Sequence, residues 1–219
     1  MDSKLEKLHE WLKTNCNNYI SMITVGSTAT GDTLIENRSD NDVCLIFQTE
    51  FKKDIPKIRK FLREINFEDF YSFTIMKKEV FIGPYNITHD FSHKFRSKVL
   101  FGENFISEVE LPNREVTLKI FSDGLDKVKE RMKNRLFYGE LWSDQTVQKE
   151  FWKLFKHVFM YLAIKHYYDT GIYPKTRAEV AKLLNSPALD RTLITLININ
   201  HKSHEEIFRI ARELIDYLD

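Results

Sequence analysis

The order of apolar and polar residues predicts alternating helices and strands in the first half of the chain. Apolar residues recur at helical spacing over 4–15 and 54–65, which is typical of amphipathic helices with one buried face. Continuous apolar runs of strand length occupy Tyr19–Val25, 43–47 and 70–76. Together these segments predict a mixed sheet with helices packed against it.

The segments between these elements carry weaker patterns. Residues 28–35 follow a glycine–serine turn and predict a short helix, whereas 114–121 alternates between apolar and polar residues and predicts a further strand. Pro84 interrupts the stretch 77–96, and the apolar residues that follow it over 87–95 return to helical spacing. Up to about residue 122 the chain therefore reads as mixed helix and strand.

Beyond residue 122 the pattern contains almost no strand signal. Apolar residues at helical spacing predict a series of helices, at 126–138, 146–168, 177–184, 191–199 and 205–218. The longest of them is apolar around much of its circumference, which is typical of a helix at the centre of a bundle. The predicted fold class is therefore α+β, with a core at 1–122 in which helices flank a mixed β-sheet, followed by an all-α helical bundle at 123–219.

The composition of the chain restricts the possible classes of protein and partner, but it does not identify a function. A chain of 219 residues is long enough to bury a substantial core. Its net charge of +1 comes from 33 basic and 32 acidic residues, so no overall basic footprint indicates nucleic acid as a partner. Two cysteines are too few for a disulfide framework. Because neither a signal-like N-terminus nor a membrane-length apolar run is present, the sequence predicts a cytoplasmic protein without a membrane partner.

The candidate chemistry lies between the first two predicted strands. Asp40 and Asp42 stand two positions apart where the strand at 43–47 begins, so both carboxylates project from one face. Two carboxylates held together repel each other unless a cation lies between them, and a divalent metal is the usual partner. Gly26 and Ser27 form a turn with N–H groups and room for a phosphate. The pattern indicates a metal–nucleotide site. The alternative is that Asp40 and Asp42 belong to a polar turn that only caps a strand, and that Gly26 and Ser27 form an ordinary tight turn.

Gly26-Ser27, followed after a spacer by Asp40-x-Asp42 and an apolar strand, resembles the signature of the nucleotidyltransferase-fold superfamily. This superfamily includes DNA polymerase beta-like enzymes, aminoglycoside nucleotidyltransferases and minimal nucleotidyltransferases. The resemblance implies that Asp40 and Asp42 hold Mg²⁺ and that a nucleoside monophosphate is transferred to an acceptor hydroxyl. The monophosphate would be AMP if the donor is ATP, and the corresponding monophosphate if the donor is another nucleoside triphosphate. It also implies that Gly26 and Ser27 contact the triphosphate, and that Ser39 orients the loop or contacts a phosphate.

The order of the two predicted parts extends the resemblance. A nucleotidyltransferase core followed by a helical bundle is similar to the layout of aminoglycoside adenylyltransferases, in which the bundle forms the substrate or partner side of the cleft. The segment 99–102 resembles the end of a late strand in such cores, and 168–176 resembles a turn in their helical part. The likeness implies a nucleoside triphosphate and a small hydroxylated acceptor as partners, rather than a protein or an RNA, with a homodimer as an alternative to a monomer.

The third acidic residue of such sites is not evident. Members of the superfamily usually carry it on the strand after the next helix, where it binds metal or acts as base toward the acceptor hydroxyl. The strand at 70–76 contains no acid. Asp69, directly before this strand, is the first candidate and Asp90 is the second, and a site that uses neither is the alternative. The predicted catalytic residues are thus Asp40, Asp42 and Asp69.

A missing strand acid leaves two further functions open. One is a catalytically weak or inactive nucleotide-binding regulatory protein. The other is an antitoxin-like nucleotidyltransferase that modifies a tyrosine or serine of a protein partner.

Overall fold

The computed structural model of the chain describes residues 3–32, 41–67, 71–84 and 87–219. The chain divides into two compact units. The first contains Met1–Gly31 and Glu36–Pro112, and the second contains Asp32–Ile35 and Asn113–Asp219. The fold is α+β, with helices around a mixed sheet in the first unit and helices alone in the described part of the second.

Helices and strands alternate along the first unit, as the hydrophobic pattern predicts. Its elements are α1 Ser3–Asn15, β1 Tyr19–Val25, α2 Ser27–Thr30, β2 Asn41–Phe47, α3 Ile55–Glu64, β3 Tyr71–Lys77, α4 Lys78–Ile82, α5 Ile87–Phe95, β4 Ser97–Gly102 and a 3₁₀ turn at Ile106–Glu108. The described strands form one sheet in the order β3-β2-β1-β4. Strand β1 is antiparallel to both of its neighbours, whereas β2 and β3 are parallel. The parallel pair needs a crossover, and α3 supplies it.

Both faces of the sheet are covered. Val43 and Phe47 of β2 lie in a buried cluster that includes Leu8 of α1 and Ile58 of α3. Cys44 and Ile46 face the other way and belong to a second buried cluster, which includes Phe81 of α4. A strand covered on two sides must be apolar at successive positions, which explains the continuous apolar run of β2.

The second unit is built from helices that begin at side-chain caps. Its helices are α6 Arg114–Tyr138, α7 Asp144–Thr170, α8 Arg177–Leu184, α9 Pro187–Ile197 and α10 His204–Leu218. The residues that cap them are Asn113, Ser143, Thr176, Ser186 and Ser203, and each side-chain oxygen accepts a hydrogen bond from a backbone amide of the first turn. Phe151, Phe155 and Phe159 of α7 are buried at the centre of the core of this unit. The helices predicted beyond residue 122 are therefore confirmed.

The prediction of a strand at 114–121 is wrong, because this segment forms the start of α6. The side chain of Asn113 accepts hydrogen bonds from the amides of Glu115 and Val116 at 2.9 and 3.3 Å, which fixes the helix start there. Thr117 and Phe121 are buried four positions apart, on one helical face. The four-residue spacing of these buried side chains agrees with the observed helix, whereas the local alternation of apolar and polar residues does not.

The segment 114–121 also affects where the boundary between the two parts of the chain is drawn. The sequence pattern places the end of the core near residue 122, because it predicts a strand at 114–121. In the structure α6 continues through that position, and the first compact unit ends at Pro112. The helix predicted over 28–35 is shorter in the described chain, where α2 ends at Thr30, and residues 33–35 lie outside the described ranges. Of the helices that the structure describes, none has the length and apolar character that crossing a membrane requires.

Candidate functional site

The candidate residues that the structure describes meet at one edge of the sheet, where β1 ends and where β2 and β3 begin. Val25, the last residue of β1, pairs with Asp42 of β2. Asp42 pairs in turn with Ser72 of β3 in the parallel register. Paired residues of neighbouring strands point to the same face of a sheet, so the Asp42 carboxylate and the Ser72 hydroxyl share a face. Both residues are exposed to solvent.

Gly26 forms the turn that follows β1, and its backbone explains why glycine stands there. Its φ and ψ angles are 77° and −143°, in a region that residues with a Cβ atom rarely adopt. Its amide donates a hydrogen bond to the carbonyl oxygen of Arg96 at 2.7 Å, which fixes the turn against the start of β4. A Cβ atom on Gly26 would lie 3.6 Å from Asp42 Oδ2. The backbone of the turn therefore passes directly beside the carboxylate.

The single helical turn α2 carries the chain on from Gly26. Gly31 ends it in the left-handed conformation, with φ 67° and ψ 21°, and donates its N–H to the carbonyl oxygen of Ser27. The Thr30 hydroxyl donates back to the Gly26 carbonyl oxygen at 3.2 Å. The Thr28 hydroxyl donates to Asn41 Oδ1 at 2.8 Å. These bonds fasten the turn to the first residue of β2, next to Asp42.

Part of the predicted site lies outside the described residues. Asp40 and Ser39 precede the start of β2, and Asp69 precedes the start of β3, and the described ranges include none of the three. The pairing of Asp40 with Asp42 therefore stays a prediction from their spacing, as do the roles of Ser39 and Asp69. Within the described ranges, no three histidine, cysteine, aspartate or glutamate side chains group into a metal site.

The neighbour of Asp42 on β3 is a hydroxyl rather than an acid. Ser72 occupies the position in register with Asp42, and Thr74 is the next residue along the same face. Asp90, the second candidate for the third acid, lies in α5 with 1% of its surface exposed, so its carboxylate is closed to a ligand in solvent. Ser72 was missed from the sequence because a parallel register is not visible in the spacing of residues along the chain.

The residue after Asp42 on the same face is a cysteine. Burial raises the pKa of the Cys44 thiol to about 12, with a smaller contribution from the negative charge of Asp42. The metal-free thiol is therefore protonated at neutral pH and is not a resting thiolate nucleophile. The exposed side chains of Asp42 and Ser72 on this face carry oxygen atoms.

A cavity of about 400 Å³ opens on the opposite face of the same sheet edge. Its described lining consists of Leu5, Thr24, Thr28, Asn41, Val43, Tyr71, Lys98, Val99 and Leu100. Val43 follows Asp42 in β2 and so faces away from it. The cavity and the Asp42 carboxylate thus occupy the two sides of the edge at which the Gly26 turn lies.

Comparison with known proteins gives a likeness in structure. No protein-family model matches the chain, and no curated protein matches it in sequence. Among solved structures, it is similar to spectinomycin adenyltransferase AAD(9) from Enterococcus faecialis, solved with ATP and spectinomycin, at 16% sequence identity and a TM-score of 0.50. The likeness covers 96% of this chain and 98% of the other, and it concerns the fold. The chain has the nucleotidyltransferase fold, with additional helices after the mixed sheet.

Proposed function

We propose that the protein is a Mg²⁺-dependent nucleotidyltransferase that transfers a nucleoside monophosphate, AMP from ATP, to a hydroxyl of a small molecule. The observation that carries this proposal is the contact between the glycine turn and the carboxylate. The Cβ position of Gly26 lies 3.6 Å from Asp42 Oδ2, at the end of two paired strands. An accessible carboxylate beside a backbone without a side chain leaves space for a metal-bound phosphate group.

The donors at this edge suit Mg²⁺. Ser72 is in register with Asp42 on the same face of the sheet, so these two side chains offer oxygen atoms of the kind that a hard cation prefers. Asp42 and Asp40 would hold the metal. When bound, Mg²⁺ supplies positive charge that offsets the charge of the triphosphate and of the leaving pyrophosphate.

The side chains of the chain itself have positioning and proton-transfer roles in this proposal. The Gly26 backbone admits a phosphate close to the turn, and the Ser27 and Ser39 hydroxyls donate hydrogen bonds to phosphate oxygens. The acceptor oxygen attacks the α-phosphorus, the bond from that phosphorus to the pyrophosphate oxygen breaks, and the acceptor proton passes to a carboxylate. We assign that base to Asp69, the acid that directly precedes β3 in the sequence.

The acceptor class is inferred from the likeness in fold. The similar structure contains ATP and spectinomycin, a nucleotide and a small molecule. A small hydroxylated acceptor is therefore the first class to test here, and fold alone does not fix its identity.

A second function is favoured by one specific feature. In the described part of β3, the residue in register with Asp42 is Ser72, and no carboxylate occupies Tyr71–Lys77. A site that lacks a base can bind a metal–nucleotide complex without transferring it. The alternative to a nucleotidyltransferase is therefore a regulatory protein that binds a nucleotide without transferring it.

Incubation with ATP labelled at the α-phosphorus, with Mg²⁺ and a panel of small hydroxylated acceptors that includes spectinomycin, separates the two functions. Label on a small molecule together with release of pyrophosphate supports transfer, and binding of Mg²⁺–ATP without release supports the regulatory alternative. Label on a protein would instead indicate the modification of a polypeptide partner.

Substitution then tests the site itself. Asp42→Asn is expected to weaken Mg²⁺–ATP binding by about tenfold or more. Glu64→Gln, an exposed acid on α3 that pairs with Lys60, is the matched control and is expected to leave binding unchanged. If Asp40→Asn combined with Asp42→Asn leaves Mg²⁺–ATP binding untouched, the site is assigned wrongly.

A further inference from the structure

The cavity on the opposite face of the sheet edge from Asp42 takes no part in the proposed function. Its volume is about 400 Å³, which lies within the range of sites that hold small molecules. All of the residues described in its lining belong to the first unit. The chemistry of that lining indicates which class of ligand would fit it.

The floor of the cavity follows from the side chains that β1 and β2 place on this face. Met22 and Leu45 are paired in the sheet, and both of these large side chains are fully buried. Closer to the sheet edge, the paired residues on the same face are Thr24 and Val43, which are smaller. Both are buried and line the cavity, so the floor consists of side chains too small to fill the space.

Strand β4 lines the cavity at an irregularity in its pairing. Phe101 pairs with Met22 and Val99 pairs with Ile23, so Leu100 is an extra residue in β4. A bulge of this kind re-aims the side chains beside it. Both Val99 and Leu100 line the cavity, and the wall that β4 supplies there is apolar.

The rim of the cavity is polar and is held by hydrogen bonds. The hydroxyl of Thr28, an exposed residue, donates to Asn41 Oδ1 at 2.8 Å, and the Thr24 hydroxyl donates to the carbonyl oxygen of Asp42 at 3.2 Å. In the described part of the chain, no acceptor takes a hydrogen bond from the N–H₂ group of Asn41. Asn41 therefore stands at the rim with its oxygen fixed and its N–H donors available.

Lys98 supplies the positive charge in the described lining. It pairs with Thr24 in the sheet, so both side chains lie on the face that carries the cavity. Lys98 is exposed, and within the described ranges its ammonium group forms no ion pair with an acid. The described lining itself contains no acid. The cavity thus combines apolar walls with two groups of hydrogen-bond donors, one of them charged.

We propose that this cavity is a second small-molecule site, which binds a carboxylate with an apolar body and is separate from the metal–nucleotide site. The Lys98 ammonium and the Asn41 N–H₂ group donate to the carboxylate oxygens, and the apolar body lies against Val43 and Leu100. A hydrogen bond between two charged groups is stronger than a neutral one, and removing apolar surface from water adds to the affinity. A cationic ligand would be repelled by Lys98.

Titration of hexanoate and of 3-phenylpropanoate into the protein, without Mg²⁺ or nucleotide, tests the proposal. Each carboxylate is compared with its uncharged amide, and saturation-transfer NMR and isothermal titration calorimetry measure the binding. At least one carboxylate is expected to bind about tenfold more tightly than its amide, because only the carboxylate pairs with the Lys98 charge. Absence of binding by both carboxylates, or equal affinity of each acid and its amide, overturns the proposal.

Substitutions then locate the bound carboxylate. Lys98→Gln is expected to weaken carboxylate binding by about tenfold and to leave amide binding unchanged. Lys60→Gln, an exposed lysine of α3 that pairs with Glu64, is the matched control and is expected to change neither affinity. Leu100→Phe enlarges a wall of the cavity and should weaken the binding of acid and amide alike. Equal losses in Lys98→Gln and Lys60→Gln overturn the proposal, and this comparison remains decisive if Leu100→Phe does not fold.

A competition experiment separates this site from the metal–nucleotide site. A nonhydrolysable ATP analogue with Mg²⁺ is expected to leave the carboxylate bound, because the Asp42 side chain faces the other side of the sheet. Displacement of the carboxylate by the analogue overturns the assignment of a separate site. If the protein binds no Mg²⁺–ATP, the proposed function fails, whereas the titrations without nucleotide still decide whether the cavity binds a carboxylate.

Discussion

Gly26→Ala and Gly31→Ala form a matched pair that isolates the contact between the turn and Asp42. Both glycines have positive φ, 77° and 67°, so alanine is strained at either position. The conformation of Gly31 is left-handed helical, and alanine costs about 1–2 kcal/mol there. The conformation of Gly26 is one that only glycine populates readily, and we expect a cost of about 3 kcal/mol. For a chain of this size, these values correspond to melting temperatures lower by about 2–8 °C for Gly31→Ala and about 6–12 °C for Gly26→Ala.

Binding distinguishes the two variants more sharply than stability does. A methyl group on Gly31 meets no atom within 4 Å, whereas a methyl group on Gly26 lies 3.6 Å from Asp42 Oδ2. That distance is an ordinary contact, so the methyl group fits but covers one side of the carboxylate. We expect Gly26→Ala to raise the Kd for Mg²⁺ with a nonhydrolysable ATP analogue by about tenfold, equivalent to about 1.4 kcal/mol, while Gly31→Ala leaves it unchanged.

Isothermal titration calorimetry below the melting temperature of both variants measures these constants. Circular dichroism at the same temperature checks that each variant is folded before titration. Equal affinities in the two variants would show that Asp42 and the Gly26 turn do not share a ligand, and the proposed phosphate site would then have to be abandoned.

Two further predictions concern charges near the sheet. Ser72→Asp places a carboxylate in register with the Asp42 carboxylate, and the two negative charges repel each other. Without Mg²⁺, Ser72→Asp should therefore lower the melting temperature more than Thr74→Asp does, and added Mg²⁺ should reverse this difference. Equal changes in melting temperature in the two variants would contradict the reasoning from the strand register. Burial lowers the pKa of His93 to about 4, below its ordinary value of 6.5, so the unfolded chain takes up a proton that the folded chain does not. The free energy of unfolding should therefore fall between pH 6.5 and 4 by as much as about 3 kcal/mol, and urea titrations should find a smaller fall in His93→Phe.

Much of the fold was accessible from the sequence because its two hydrophobic periods are clear. The run 43–47 has the length and the continuous apolar character of a strand, and the spacing in 146–168 predicts a helix buried in a bundle. The failure at 114–121 has a physical cause. A short stretch at a helix start can fit both the two-residue period of a strand and the 3.6-residue period of a helix. The helix cap at Asn113 and the burial of Thr117 show that this segment is helical.

The candidate site was accessible only in part. Gly26 and Asp42 carry their chemistry in their residue types and spacing, and the structure brings them together. The position of Ser72 beside Asp42 depends on the register between the parallel strands β2 and β3, which α3 connects. No local sequence pattern determines that register.

The two cysteines give the first unit built-in reporters of its own opening. Cys16 and Cys44 are both buried, and burial raises their thiol pKa values to about 11 and about 12. Alkylating reagents require an exposed thiolate, so the native chain resists them and opened molecules react. Since the sequence contains no other cysteine, the rate of alkylation follows the opening of the sheet unit separately from that of the helices, without any introduced label.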